Sequence, residues 1–261
     1  MTSRKADQNL FARSLFERLQ ASGHGASLLT VQYRMHASIR AFPSQHFYDG
    51  KLKDCVSEDR HAPWHADCRF APFVFYDIRG DGDPDVIEDL RPGTSRSNSV
   101  EAKACVALLE ALTRLMQREG EDMQKRIAVM SPYRRQCSDI RYRLSASGLQ
   151  DVEVSSVDAF QGREMDVSVL SCVRSGRGGL GFVADIRRLN VALTRSKCSL
   201  LIVGDADTLS QNEHWAALIT HARSAGCCVK LCETQLDRIF RGDDAQWRTG
   251  SWPEHWLSVR D

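Results

Sequence analysis

The sequence predicts an α/β fold in which a parallel sheet is covered by helices on both faces. Three observations predict it. Short, mostly apolar runs rich in β-branched residues recur at Phe73 to Ile78, Ile127 to Met130, Val167 to Val173 and Leu200 to Val203, with a more polar run at Val152 to Val157. A strand with one wet face alternates polar and apolar residues, whereas a strand buried on both faces reads as a solid run. Stretches of helical period separate these runs, and strands alternating with helices build a parallel sheet. Polar segments, among them the Gly162 loop, follow several strands, where ligands bind in such sheets.

The elements follow in order. Leu10 to Ser22 places Leu10, Phe11, Leu15, Phe16 and Leu19 at helical spacing, and Gly23 stops the helix. Leu28 to Gln32 reads as a short buried strand. Ala37 to Tyr48 reads as a helix interrupted by Pro43, which lacks the backbone donor. Lys51 to Ala71 reads as a polar loop. After the strand Phe73 to Ile78, Arg79 to Pro92 is acidic, rich in Gly and Pro, and predicts a loop. Ser97 to Glu119 is the clearest helix, with Ser97 or Asn98 as its cap and Glu101 in its first turn. A helix over Tyr133 to Ser145 follows the strand Ile127 to Met130. Val183 to Ser196 reads as mostly helix and Asp207 to Arg223 as another. Cys228 to Cys232 reads as a terminal strand, and the remainder as a tail carrying Trp247, Trp252 and Trp256.

Bulk properties narrow the function classes. At 261 residues the chain holds one large domain, or one domain and a tail. Its 35 basic and 34 acidic residues leave a net charge of +1. Binding of a nucleic acid therefore needs a local patch rather than a global field. No apolar run reaches the ~20 residues of a membrane span, and the polar start resembles no secretion signal. A nuclear or cytoplasmic protein without a membrane partner is the expectation. Nine cysteines fit buried thiols in a reducing compartment. Cys55, His61, His65 and Cys68 hold zinc-type donors, but their spacing matches no standard pattern, and no metal site is assigned.

Four segments carry chemistry. Gln32-Tyr33-Arg34-Met35-His36 sets a ring that can stack beside a guanidinium that can clamp phosphate; a core tyrosine and a surface ion pair would give the same local pattern. In the loop Ser156 to Glu164, Gly162 permits close backbone approach and Glu164 can accept bonds from ribose hydroxyls. Arg187 to Arg195 reads as a helix with Arg188, Ala192 and Arg195 on one face and Arg187, Asn190 and Thr194 on another, so that it can touch two ligands. Ser131-Pro132-Tyr133-Arg134-Arg135-Gln136 opens a helix after a strand, a place suited to phosphate.

Together these motifs resemble the second motor domain of the Upf-like branch of superfamily 1 helicases, which includes the nonsense-mediated-decay and senataxin groups. The resemblance runs from about Ser14 to about Arg223. It is dense in Val31 to His36, Phe42-Pro43-Ser44, Phe47 to Leu52, Ser131 to Gln136, Ser156 to Asp166, Ser171 to Arg174 and Asn190 to Arg195. One departure is Ala37, where the family usually has proline.

The resemblance implies a RecA-like domain, residues 26–230, preceded by a helical lead-in, 1–25, and followed by a tail, 231–261. It implies that Tyr33 stacks near the adenine or ribose, that Arg34 and Arg195 reach the γ-phosphate as arginine fingers, that Gly162 lines the nucleotide and that Glu164 binds the ribose. His36, Pro132, Tyr133, Ser156, Asp158, Asn190 and Thr194 are implied for the nucleic-acid groove or its coupling to ATP. The implied partners are single-stranded RNA or DNA and a first RecA-like domain. The implied cofactor is ATP with Mg2+, the magnesium held mainly by that first domain. The sequence has no Gly-x-x-x-x-Gly-Lys-[Ser/Thr] phosphate loop and no Asp-Glu pair after an apolar strand. The expectation is half of a 5′-to-3′ helicase, nearly inactive by itself. The alternative is a non-catalytic nucleic-acid or protein binding module that kept the fold.

Overall fold

The protein is described by a computed structural model covering residues 14–55, 60–79, 95–176 and 179–242, with Trp247, Trp252 and Leu257. The core is a six-stranded parallel sheet. Its strands are β3 (Phe73–Arg79), β4 (Ile127–Ser131), β5 (Glu153–Ser156), β6 (Met165–Ser171), β7 (Ser196–Gly204) and β8 (Cys228–Cys232), in the spatial order β5-β4-β6-β7-β3-β8. Side chains alternate between two cores, as the strand period demands. Val74, Tyr76, Val129, Val169, Leu201 and Val203 face one core; Phe75, Met130, Leu170 and Ile202 face the other. Both cores are apolar, which is why the strands read as solid runs. This is the doubly covered α/β architecture that the sequence predicts.

The first core is roofed by α3 (Ser99–Gln117) and α4 (Arg134–Ala146). Asn98, not Ser97, caps α3: its Oδ1 accepts from the Val100 and Glu101 amides at 3.1 and 3.0 Å. The second core is roofed by α2 (Ala37–Phe47), α5 (Ile186–Leu193) and α7 (Glu213–Ser224). The predicted helix over Asp207 to Arg223 is two: α6 (Ala206–Leu209) and α7, divided where the Asn212 side chain caps the second. A short helix, α8 (Leu236–Phe240), follows β8.

Several expectations are corrected. The Leu10 to Ser22 helix is α1 (Leu15–Ala21), its earlier part lying outside the described residues; α1 buries none of its side chains. Leu28 to Gln32 is not a buried strand. Only β1 (Val31–Gln32) is extended, paired with β2 (Lys53–Asp54) away from the main sheet, and Leu29 is 86% exposed. No described element covers that apolar run. Pro43 does not interrupt α2, because Ile39, Phe42 and Pro43 are buried together and packing outweighs the missing bond.

Lys51 to Ala71 is more than a polar loop. Two 3-10 turns, Pro63–Ala66 and Cys68–Phe70, carry Trp64 and Phe70 into the core, along with a buried ion pair between Asp67 and Arg69 at 2.6 Å. The boundary at residue 230 cuts through β8, and Trp247 and Trp252 of the expected tail are buried. The predicted loop Arg79 to Pro92 falls, from residue 80 onward, outside the described residues, as does Trp256.

Candidate nucleotide and nucleic-acid sites

The sequence places functional residues together at strand carboxyl ends. In the structure they divide between the two ends of the sheet. Glu164 directly precedes β6, and Arg195 directly precedes β7, so both stand at the amino ends of these strands. Beside them lies the turn between β1 and α2. Gln32 holds that turn: its Oε1 accepts from the Arg34 and Met35 amides at 2.9 and 2.7 Å, and its Nε2 donates to the Met35 carbonyl and to Asp54. Arg34 is thereby aimed at Glu164. Its Nε donates to Glu164 Oε2 at 2.6 Å and its Nη1 to the Thr194 carbonyl at 3.0 Å.

Arg195 folds back over the end of α5. It donates to the Val191 carbonyl at 2.9 Å and to Thr194 Oγ1 at 2.9 Å. Lys197, two residues along β7, is 3.1 Å from Glu164 Oε1. Three cations thus gather around one carboxylate. Hydrogen bonds from Arg34 and Lys197 hold the Glu164 carboxyl below the usual range. Burial and the nearby Arg34 guanidinium lower the Arg195 pKa. Tyr33 is 60% exposed beside this cluster, its ring open for stacking. Gly162 has φ of +84°, which favours glycine, and open space where a Cβ would stand.

The donor set suits a polyanion. It does not suit a divalent cation: among the described residues no group of three or more His, Cys, Asp or Glu is placed to hold a metal. Cys68 is buried, and burial pushes its thiol up to about 12.

At the opposite end, an open groove of about 560 Å3 lies beyond the carboxyl ends of β4, β5 and β6. Arg96, Pro132, Arg134, Asp158, Arg174 and Arg188 line it. Arg188 grips Asp158 with two bonds of 2.7 and 2.9 Å and covers the Phe182 ring at 5.2 Å. Pro132 and Asp158 therefore stand at this groove. Ser156 caps the next turn by accepting from the Ala159 amide.

Of the other four expected groove residues, Tyr133 lines the groove, and Thr194, Asn190 and His36 stand elsewhere. Tyr133 is 5% exposed and its hydroxyl donates to the Leu180 carbonyl, so it is wall rather than stacking platform. Thr194 is buried behind Arg34 and Arg195 and braces them. Asn190 donates to the Tyr48 hydroxyl. His36 caps α2 and meets the rings of His61 and His65.

Sequence reading missed Gln32 as the brace of the turn and Lys197 as the second cation on Glu164. A signal for Lys197 existed: in a strand, residues i and i+2 share a face, so Lys197 follows Arg195.

The helix α5 and the segment from Ser156 to Glu164 run between the two ends. Arg188 meets Asp158 at the groove, and Arg195 reaches the Arg163 carbonyl near the cationic cluster. The faces expected for Arg187 to Arg195 change accordingly: Ala192 is buried, and Arg195 lies beyond the end of the helix.

Comparison with known proteins shows the family. The AAA_12 family of AAA domains matches residues 11–207. ATP-dependent helicase NAM7 of Saccharomyces cerevisiae is 38% identical over 255 residues, 90% of this chain and 25% of that protein. Helicase sen1 of Schizosaccharomyces pombe is 36% identical over 230 residues, 85% of this chain and 13% of that protein. A probable helicase of Dictyostelium discoideum is 39% identical over 229 residues, 86% of this chain and 23% of that protein. The chain spans about a quarter or less of these relatives. It belongs to the AAA_12 domain family, as a second RecA-like domain of the Upf-like superfamily 1 helicase type.

Proposed function

We propose that this chain is the second motor domain of an ATP-dependent helicase that moves 5′ to 3′ on single-stranded RNA or DNA. A first RecA-like domain supplies the phosphate loop and the groups that hold Mg2+. Arg34 and Arg195 neutralise charge on the γ-phosphate as it is transferred, Glu164 accepts from the ribose hydroxyls, Gly162 lines the nucleotide and Tyr33 stacks on its base or sugar. Electrostatic stabilisation of this kind is the main task in phosphoryl transfer. Arg34 is bound to Glu164 in the free domain, so it must release that carboxylate to reach a phosphate. Lys197 then keeps Glu164 in place. Pro132 and Asp158, with Arg96, Arg134, Arg174 and Arg188, form part of the single-strand groove.

The observation that carries this reading is that one short helix, α5, has one end in the basic groove and the other against the cationic cluster. A shift of that helix on strand binding would move Thr194 and, with it, both arginines.

The test is steady-state ATPase with and without single-stranded oligonucleotide, in a protein that joins a first motor domain to this chain. Strand-stimulated turnover should collapse on Arg34→Ala and on Arg195→Ala. Turnover untouched by both changes would leave a binding module as the better reading.

A further inference from the structure

Val173 has φ of +72°. A β-branched side chain in that region is strained, and such strain persists only where the surroundings impose it. Here they do. The last ladder bond of the sheet at this point runs from the Cys172 amide to the Val203 carbonyl at 3.0 Å. The chain then turns at Val173, and both of its backbone polar groups are held from the start of α3. The Val173 amide donates to Glu101 Oε2 at 2.8 Å, and its carbonyl accepts from Asn98 Nδ2 at 3.3 Å.

These contacts belong to a closed network. Ser171 Oγ donates to Glu101 Oε2 at 2.7 Å. Gln136 of α4 donates to Ser171 Oγ and to the Asn98 carbonyl, and accepts from the Asn98 amide. Asn98, Glu101, Gln136, Ser171 and Val173 are all buried. The residue after Val173 is Arg174, a buried residue, 3% exposed, that forms part of the groove wall.

Packing does not account for Glu101. Its Oε1 has no hydrogen-bond partner among the described residues, and an apolar side chain would fill the place at lower cost. Nor is it placed to favour the helix dipole from solvent, as the sequence suggests for a first-turn acid, since it is 1% exposed. Burial raises its pKa to about 8, so at neutral pH the acid is largely protonated, and Oε2 still accepts from both donors.

We propose that Glu101 is a positioning residue for the groove: with Asn98 it holds Val173 in the left-handed conformation that turns Arg174 into the groove wall. The inference rests on the groove binding single strands, and its test has one arm that does not.

That arm is amide hydrogen exchange of the segment 172–176, read by mass spectrometry on chain 1–261. Val173 should be protected in the wild type and in Glu101→Gln, whose amide oxygen can replace Oε2. It should exchange at least tenfold faster in Glu101→Asp, which withdraws the acceptor by about one bond length, ~1.5 Å. Aspartate still places a carboxyl near the core, so the test stands even where Glu101→Ala does not fold.

The second arm is fluorescence anisotropy with oligo-U and oligo-dT across a salt series. Glu101→Asp should weaken binding roughly tenfold, about the worth of one charge-assisted bond. It should flatten the salt slope, by no more than the ~0.7 of one phosphate contact on a single strand, since Arg174 is nearly buried in the wall. Glu101→Gln should restore both, and Arg174→Ala added to Glu101→Asp should lose little more. A purely structural role would lower the melting temperature without moving the slope.

Unchanged protection in Glu101→Asp overturns the clamp. Faster exchange with affinity and slope unchanged overturns its link to the groove. A wild-type chain that binds neither oligonucleotide overturns the groove reading, and that link with it, while exchange still decides the clamp.

Discussion

Glu164 is the charge on which the cationic cluster turns. It neutralises Arg34 and Lys197 directly and offsets the crowding of Arg34 against Arg195. Without it, three cations would repel one another in the free domain. Replacing Arg195 by Ala in a two-domain protein should cut turnover about 10³-fold, the low end for arginine fingers, because Arg34 still supplies one charge. Arg195→Lys should recover only part, since an ammonium lacks the two-pronged fork. Steady-state ATPase compared with nucleotide affinity checks this, and affinity should fall far less than turnover. A second residue-scale prediction concerns stability alone. Asp67 and Arg69 form a fully buried ion pair, and Arg69 also donates to the Ile239 carbonyl. Asp67→Ala strands a buried guanidinium and should cost ~3–5 kcal/mol, read by chemical denaturation. The two kinds of residue differ in legibility. Arg34, Glu164 and Arg195 stand in recognisable motifs, and tertiary structure brings Arg34 to the other two across 130 and more positions. Asp67 and Arg69 look like solvated charges in a polar stretch, because only the fold shows that the stretch is covered.

At the scale of elements, α3 joins packing to titration. Its apolar face roofs one core, while Glu101 enters that core protonated, with a folded pKa of about 8 against 4.5 for the ordinary side chain. A raised folded pKa means that the native state binds the proton more tightly. This contribution to stability is complete below about 4.5 and is lost as pH rises through about 8. Its slope is at most ~1.4 kcal/mol per pH unit between those values. Denaturant midpoints should therefore fall from pH 5 to pH 9 in the wild type, and fall less in Glu101→Gln; equal slopes in the two would count against it. The strands and α3 were legible because their periods are imposed by burial on one face or two. What failed to read was context. Pro43 looks like a breaker until Ile39 and Phe42 are seen packed beside it. Leu28 and Leu29 look like core until no described neighbour covers them. Tyr133 looks like a stacking ring until its hydroxyl is found bonded to Leu180. Local composition reports an average environment, and these residues depart from it for tertiary reasons.

At the scale of the whole molecule, two cationic regions stand at opposite ends of one sheet in a chain whose net charge is only +1. Beside the cationic cluster of the proposed nucleotide end the sequence supplies no phosphate loop, so residues 1–261 alone should show negligible ATPase with or without RNA; strand-stimulated turnover from a pure preparation would refute this. The groove is a better subject for direct measurement. Arg96, Arg134, Arg174 and Arg188 line it, and among the described residues that line it Asp158 is the carboxylate, bonded to Arg188. A strand that engages three of these four arginines makes about three phosphate contacts. Each contributes a slope of ~0.7 in log affinity against log salt on a single strand, for a total of about 2. Affinity for a short oligo-U should then drop roughly twentyfold between ~50 and ~200 mM salt. Arg134→Ala should remove about one contact and lower the slope by ~0.7. Arg241→Ala should leave it unchanged, because Arg241 lies on another face, paired with Glu110 and Asp237. A salt-independent affinity, or a slope equally sensitive to both changes, would mean that binding is not seated in this groove. Binding would then depend on charge scattered over the surface, and the path along α5 to the arginines would have no strand at its far end to respond to.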